Sequence, residues 1–559
     1  MASDPHAHQL IDPETDPRAT YMLEPDDVRG LLARIAVSPG TGTVTTFAPF
    51  TGGPLAAVPL STPDDVARAA GLARAAQRPW ALTPVAERAA VLLRLHDLVL
   101  ANQSDVLDLI QLESGKSRAG AFEEVADVAL IARHFGRRAV AYLAPRRVPG
   151  LVPLLTGVTV LRHPVGVVGV ISPWNYPLAL SLGDVLPALV AGNAVLLKPD
   201  TQTALTALWG VEQLEAAGLP AGLLQVVVGN GAEVGAAVVD AVDHVCFTGS
   251  TAVGRVVAAR AGGRLIGASL ELGGKNPMYV TEDVDIDVAA EGAARSCFAG
   301  AGQLCVSVER LYVHEDVADE FLAAFLHRVR ALALGGDLAY TADVGSLTTI
   351  AQLAKVTAHV DDAVARGARV LAGGVRRADL GPLFYAPTVL DGVPADALAY
   401  REETFGPVVS VYRVASDDEA VAAMNDTEYG LNASVWTRSA ARGRAIAARI
   451  ESGTVNVNDG YAAAWGSIAA PQGGRKSSGL GARHGAEGIA QVTDAQTIAV
   501  QRGAHGLRVG LPGWLPGGPS GARRSVGAIG LGRLYELPAA RWTALFTRAL
   551  RLLKSTGRP

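Results

Sequence analysis

Val165-Gly-Val-Val-Gly-Val-Ile171, Ala194-Val-Leu-Leu197, Leu224-Gln-Val-Val-Val228 and His244-Val-Cys-Phe247 are short apolar runs separated by stretches of helical length. Each reads as a strand covered on both faces, because polar residues do not alternate with the apolar ones. The spacers predict helices through Val190, to about Ala217, after the Gly229-Asn-Gly231 turn, and after Thr248-Gly249-Ser250. Strands alternating with helices at this spacing imply a parallel, doubly wound sheet. Ligands of such sheets bind at the carboxyl ends of the strands, so the turns there come first.

The first run passes straight into Ser172-Pro-Trp-Asn-Tyr-Pro177, without the G-x-G-x-x-G of many dinucleotide sites. Glycines appear instead after the fourth run, in Gly249-Ser-Thr-Ala-Val-Gly254. Glycine at a strand-to-helix turn lets a helix N-terminus approach a diphosphate. A triphosphatase loop fails, because Arg255-Val256 stands where Lys-Ser/Thr is needed. After the second run, Lys198, Asp200 and Thr201 are either a solvated strand end or a cation and a hydroxyl suited to a 2′-phosphate.

Outside these runs, residues 1–45 hold one short apolar run, Val28 to Val37, and read as an arm with one helix. Thr62 to Gln111 is helical in pattern, opened by a hydroxyl cap, an early proline and first-turn acids, with a second start at Thr83-Pro84. Glu113 to Ala144 continues the helical pattern until Pro145. Val148 to His163 and Gly488 to Gln501 read as peripheral strands of the kind that pair between subunits. Beyond Leu272 a second α/β pattern runs through Arg310 to Val313, Ala318 to Ala333, Thr348 to Arg366, Ala368 to Leu371, Val408 to Arg413 and Ser434 to Thr437. Gln472 to Gly481 reads as a glycine-rich return loop. The expected division is an arm (1–45), a cofactor domain (46–272) with outlying strands at 140–163 and 485–503, a second α/β domain (273–478) and a basic extension (504–559).

With 559 residues, 49% hydrophobic and 18% charged, the chain is long enough for two or three lobes of an ordinary globular protein. A net charge of −5 gives no reason to expect nucleic-acid binding. Three cysteines, an odd number, argue against a disulfide framework and for a reducing compartment. The polar N-terminus lacks a signal-peptide core, and no apolar run reaches the roughly 18 residues of a membrane span, so the cytosol is expected. No metal ligands are assigned. Cys305 follows Gly300 and Gly302 in Phe298-Ala-Gly-Ala-Gly-Gln-Leu-Cys-Val-Ser307. A thiol after so permissive an approach is either a small buried hydrophobe or a group facing a cavity.

Taken together, Pro173-Trp-Asn-Tyr-Pro177, Lys198-Pro199, Phe247-Thr-Gly-Ser250 with Gly254, Glu271-Leu-Gly-Gly-Lys-Asn-Pro277, Gly302-Gln-Leu-Cys305 and Glu403-Thr-Phe-Gly-Pro407 resemble the aldehyde dehydrogenase superfamily, in its order and at about its spacing. The resemblance covers roughly residues 45–500. Within the superfamily it is greatest to actinobacterial NADP-dependent succinate-semialdehyde dehydrogenases, through Gln303 to Arg310 and Tyr461 to Pro471. It implies an aldehyde dehydrogenase-like α/β fold with a doubly wound cofactor domain, a second α/β catalytic domain and a β-hairpin oligomerisation element in a homodimer or homotetramer.

The same resemblance implies that Cys305 is a thiolate nucleophile, that Asn175 and the Cys305 N–H hold the oxyanion, and that Glu271 is the general base. Cofactor contacts are implied at Ile171, Ser172, Trp174, Lys198, Pro199, Asp200, Thr201, Gly231, Phe247, Gly249, Ser250, Gly254 and Leu272, with Glu403 and Phe405 on the nicotinamide riboside. Thr201 stands where NAD-preferring members often carry glutamate, which points to NADP, with NAD possible. The arginines that bind a substrate carboxylate in related enzymes are matched by Gly183 and Ala299. Either Ser467 or backbone amides take that role, or the aldehyde is uncharged. The expected substrate is succinate semialdehyde, against an aromatic or longer aliphatic aldehyde, or a non-catalytic binding protein that keeps the fold. The presence of Glu271 favours hydrolysis over transfer to coenzyme A.

In residues 505–559 eight arginines and one lysine face a single acid, Glu536. Trp542, Leu545, Phe546, Ala549, Leu550 and Leu553 share one helical face, so this helix is expected to dock on the protein's own body, membrane contact being the alternative.

Overall fold

The computed structural model describes residues 25–150, 156–501 and 547–548. The described chain forms one compact unit from residues 25–144 and 162–495, and a smaller one that includes 145–150, 156–161 and 496–501. The large unit contains both sheets that the sequence implied.

The first is six-stranded, in the order Gly479–Leu480, Gly267–Glu271, His244–Thr248, Val167–Ile171, Ala194–Lys198, Leu224–Val226. All neighbours are parallel except Gly479–Leu480, which runs antiparallel to Gly267–Glu271. From Val167–Ile171 the chain adds two strands on one side, then crosses to add two on the other. The strand order therefore reverses beside Val167–Ile171, and a crevice opens there at the carboxyl ends. Register sets the functional turns side by side: Ile171 pairs with Lys198 and Phe247, and Thr248 with Glu271. The helix Pro177–Ala191, buried along its whole length, covers one face, as an apolar helix beside a fully covered sheet must.

The second sheet has seven strands: Arg369–Ala372, Thr388–Asp391, Val408–Val414, Val308–His314, Asn276–Val280, Asn432–Trp436 and Thr454–Val457. Only Arg369–Ala372 is antiparallel to its neighbour. Phe298 and Phe321 both stack on Phe325 in the core beneath it, at centroid distances of 6.3 and 5.8 Å.

The structure places one helix, Pro25–Leu32, within the stretch read as an arm, with Val28 and Leu31 buried, and Ile35 bridges Val226 at the sheet edge. A strand and its hairpin partner, Thr43–Phe47 and Pro54–Pro59, follow it. The peripheral strand begins at Thr493, not Gly488, because Gly485–Gln491, rich in the helix formers Ala, Glu and Gln, is a helix. Thr493–Gln501, Thr156–Pro164 and Arg146–Pro149 form a three-stranded sheet in that order. The first of these is exposed at every position after Thr493. Among the described residues no helix is long and apolar enough to cross a membrane, and no group of side chains could hold a metal ion. The basic tail helix lies outside the described residues apart from 547–548.

Candidate active site

Cys305 is presented by backbone geometry. The helix Ile286–Phe298 ends in a turn where Gly300, Ala301 and Gly302 all adopt positive φ, of 57°, 56° and 70°. Gly302 is required there, since a Cβ would lie 2.1 Å from the Gly406 carbonyl oxygen of the Glu403–Pro407 loop. Two of the quoted motifs therefore touch backbone to backbone. The chain then extends, and alternation does the rest: Leu304 and Val306 are buried in an apolar cluster while Cys305 between them is half-buried. Cys246 and Cys297 are wholly buried.

Asn276 fixes this segment by donating both amide hydrogens, to the Cys305 carbonyl at 2.7 Å and the Ser307 carbonyl at 2.8 Å. Asn175, buried in the turn after Val167–Ile171, donates to the Gln303 carbonyl at 2.9 Å. Glu271 ends its strand at the same level, braced by Gly479–Leu480 and by the Leu272 N–H donating to the Ser478 carbonyl at 2.9 Å.

These residues meet in a cleft of about 220 Å³. It gathers Cys305, Asn175 and Glu271 with Trp174, Gly249, Ser250, Leu272, Glu403 and Phe405. The Trp174 and Phe405 rings meet edge to face at 5.6 Å. Ser250 caps the helix Thr251–Gly263, so the helix N-terminus opens on the cleft. A Cβ at Gly254 would strike Leu272 at 2.4 Å, which sets how closely this helix packs on the strand ends.

The other expected cofactor residues lie along the neighbouring strand ends rather than in this cleft. Ile171 and Phe247 are strand-end neighbours. Lys198 is buried, and its ammonium has a carbonyl neighbour, that of Pro199, only at 3.5 Å. Pro199 leads to Asp200, which caps the turn Thr201–Thr203. Gly231 is exposed at the start of the turn Gly231–Gly235, and a Cβ at Gly235 would lie 3.9 Å from the Lys198 side chain. Ser172 departs from expectation at its side chain: its hydroxyl is buried and hydrogen-bonded to Ser181 Oγ at 2.7 Å. Ser467 is exposed and donates to the Ala463 carbonyl at 2.7 Å.

Several contributors were not singled out from the sequence. Glu309 accepts from Lys275 Nζ at 2.5 Å and from the backbone of Thr404 and Phe405, and so holds the Glu403 loop. Gln352 and Lys355 line the cleft, and Gln352 donates to the Thr404 and Phe405 carbonyls. Glu309 lies within the Gln303–Arg310 segment, but its action on the backbone of Thr404 and Phe405, like that of Gln352, is on chain distant in sequence.

The electrostatics follow from burial and like charge. Burial, with Glu271 and Glu403 nearby, pushes the Cys305 thiol up to about 12. Burial raises Glu271 to about 7, opposed by Arg483, and raises Glu403 to about 7 with the Glu309 charge beside it. Burial thus disfavours the ionised form of the thiol and of both carboxyls.

A half-buried cysteine, an amide and a carboxyl converge at the switch point of a doubly wound sheet, and the chain belongs to the aldehyde dehydrogenase family, matched over residues 37–498. It is 55% identical over 453 residues, 81% of this chain and 88% of the other, to a Mycolicibacterium smegmatis protein provisionally named succinate-semialdehyde dehydrogenase NADP(+). It is 36% identical over 464 residues, 82% of this chain and 86% of the other, to the mitochondrial succinate-semialdehyde dehydrogenase of Oryza sativa subsp. japonica. Among solved structures it is similar to an NAD-dependent aldehyde dehydrogenase from Sinorhizobium meliloti, with a TM-score of 0.80 and 35% identity over 84% of this chain and 94% of that one.

Proposed function

We propose that the protein oxidises an aldehyde to its carboxylate with NADP, and that succinate semialdehyde is the substrate. The observation that carries this reading is the convergence of Cys305, Asn175 and Glu271 on one cleft, beside aromatic and glycine walls suited to a nicotinamide riboside. The cofactor fit rests on Lys198, a buried ammonium whose hydrogen bond among the described residues is to the Pro199 carbonyl at 3.5 Å, with the Asp200 charge nearby and the Thr201 hydroxyl close in sequence. In this reading Lys198 and Thr201 take the adenosine ribose and its 2′-phosphate, while Trp174, Glu403 and Phe405 take the nicotinamide end. When bound, NADP supplies the hydride acceptor and a positive ring beside the thiol.

Cys305 Sγ bonds to the aldehyde carbon as its proton leaves, giving a thiohemiacetal. Asn175 has one amide hydrogen occupied by the Gln303 carbonyl; the other, with the Cys305 N–H, holds the oxyanion. After oxidation the same carbon is a thioester on Cys305. Glu271 takes a proton from water, the resulting oxygen nucleophile attacks the thioester, and the C–S bond breaks to release the carboxylate. The substrate assignment is supported by the names of the similar proteins. A second reading, an aromatic or longer aliphatic aldehyde, is favoured by the apolar cluster of Tyr176, Tyr461, Leu304 and Trp465 around Cys305. A homodimer or homotetramer is supported by the outlying three-stranded sheet with its exposed strand, and a cytoplasmic location by the odd number of cysteines, three.

The deciding experiment is kcat/KM for a panel of aldehydes with NADP and with NAD. Succinate semialdehyde with NADP is expected to rank first. A preference of about tenfold or more for an apolar aldehyde would overturn the substrate, and faster rates with NAD at equal concentration would overturn the cofactor. Cys305→Ser is expected to lower turnover roughly 10⁴-fold; unchanged turnover would remove the mechanism.

A further inference from the structure

Behind Glu271 lies a second space, of about 10 Å³, the size of one water. Asp184, Arg483, His484, Cys246 and Gln491 line it, together with Glu271 itself. Glu271 is the one residue that lines both this space and the Cys305 cleft. Its carboxylate receives no hydrogen-bond donor from the described residues, so what stands behind it sets its state.

Arg483 stands there. It comes from the return loop, where Gln472 and Arg483 bridge backbone to backbone, and it is buried. Its Nε and Nη2 donate to the two Asp184 oxygens at 2.9 and 2.6 Å, and Nη2 also donates to Thr248 Oγ1 at 2.8 Å. Thr248 is register partner to Glu271 and itself lines the cleft. The guanidinium is therefore locked at the strand ends by three hydrogen bonds, beside the carboxylate.

We propose that Arg483 is a positioning residue for the hydrolytic half of the reaction: from behind, its guanidinium favours the ionised Glu271 carboxylate against the burial that opposes it, and Asp184 sets how strongly. This rests on the reading of Glu271 as the base. The other groups facing Glu271 do not supply this charge. Cys246 is pushed well up by burial and His484 is pushed down to about 3, so both are neutral near pH 7. Cys305 is protonated there, and Glu403 and Lys355 face Glu271 across the cleft. Arg483 draws the Glu271 proton affinity down, and Asp184 draws it up.

The test is the pH profile of steady-state turnover of the full-length enzyme with NADP and succinate semialdehyde. Arg483→Met is expected to move the acidic limb to higher pH, and Asp184→Asn to lower pH, each by about one pH unit. Loss of packing alone lowers the rate at every pH and does not separate the two limbs in opposite directions. Limbs that coincide with the unaltered enzyme, or that move the same way, overturn the proposal. Should Arg483→Met not fold, Asp184→Asn decides alone, and a limb that stays or rises is the overturning result. Glu271→Gln distinguishes the two levels of the argument. Normal turnover in that variant removes the base itself, whereas its loss together with unmoved limbs removes only the role of Arg483.

Discussion

At the ends of adjoining sheets Glu309 is buried and Glu271 half-buried, and the fold treats the two carboxylates in opposite ways. Glu309 accepts from the Lys275 ammonium and from the backbone N–H groups of Thr404 and Phe405. Its lone pairs are used, and what they accomplish is the placement of a loop. Glu271 is given no donor by the described residues and has a water-sized space on one side and the Cys305 cleft on the other. Burial without donors holds its proton to about pH 7. Glu403, with one donor from the Gly274 N–H at 2.8 Å, stands between the two. A carboxylate saturated with donors is part of the scaffold; one left bare is available for chemistry.

The contrast predicts opposite phenotypes for the same isosteric change. Glu271→Gln is expected to lower steady-state turnover by about 10²- to 10⁴-fold, because no base then activates water. A first-turnover burst of reduced cofactor should survive, since thioester formation precedes the lost step. Stability should change by less than about 1 kcal/mol, the variant having removed a charge that burial disfavours. A melting temperature that collapses, or a burst that vanishes while the steady rate persists, would contradict this. In the unaltered enzyme the same logic makes turnover fall as pH drops below about 7, because the raised carboxyl is then protonated and no longer a base.

Glu309→Gln should show the reverse balance. It leaves the buried Lys275 ammonium unpaired and withdraws one acceptor from the loop that carries Glu403 and Phe405. A loss of about 3 kcal/mol in unfolding free energy is expected, read by denaturant titration, with turnover reduced less than in Glu271→Gln. A Glu309→Gln enzyme of full stability and no activity would make Glu309 a participant in the chemistry and dissolve the distinction.

How far the chain could be read in advance follows the same division between local and distant causes. The strands Val167–Ile171, Ala194–Lys198 and His244–Thr248 announce themselves because each must be apolar on both faces. Gly267–Glu271, Gly-Ala-Ser-Leu-Glu, carries almost no apolar signal; pairing with His244–Thr248 makes it a strand. Cys305 and Asn175 were legible because each sits in a motif whose neighbours serve the same turn. Arg483 was not, since Gly-Ala-Arg-His-Gly reads as an exposed loop, and only folding brings it to Asp184, 299 residues away. Residues that act through backbone or charge from far along the chain leave no periodicity and no spacing to find.

The smallest expected effect concerns a carboxylate that is absent. At the second strand end Asp200 uses its carboxyl to cap the following turn, accepting from the Gln202 N–H at 2.9 Å, so that group is partly satisfied in the manner of Glu309. Thr201 beside it offers only a hydroxyl, and the buried Lys198 ammonium below has no carboxylate hydrogen-bonded to it. Thr201→Glu would add a bare carboxylate of the Glu271 type. Its charge would pair with Lys198 and repel a 2′-phosphate, while leaving the Cys305 cleft untouched. The ratio of kcat/KM for NADP over NAD is expected to fall about tenfold, through a higher KM for NADP at nearly constant kcat. An unchanged ratio would mean that the phosphate is received elsewhere, with the exposed start of the Gly231–Gly235 turn near Lys198 the next surface to alter.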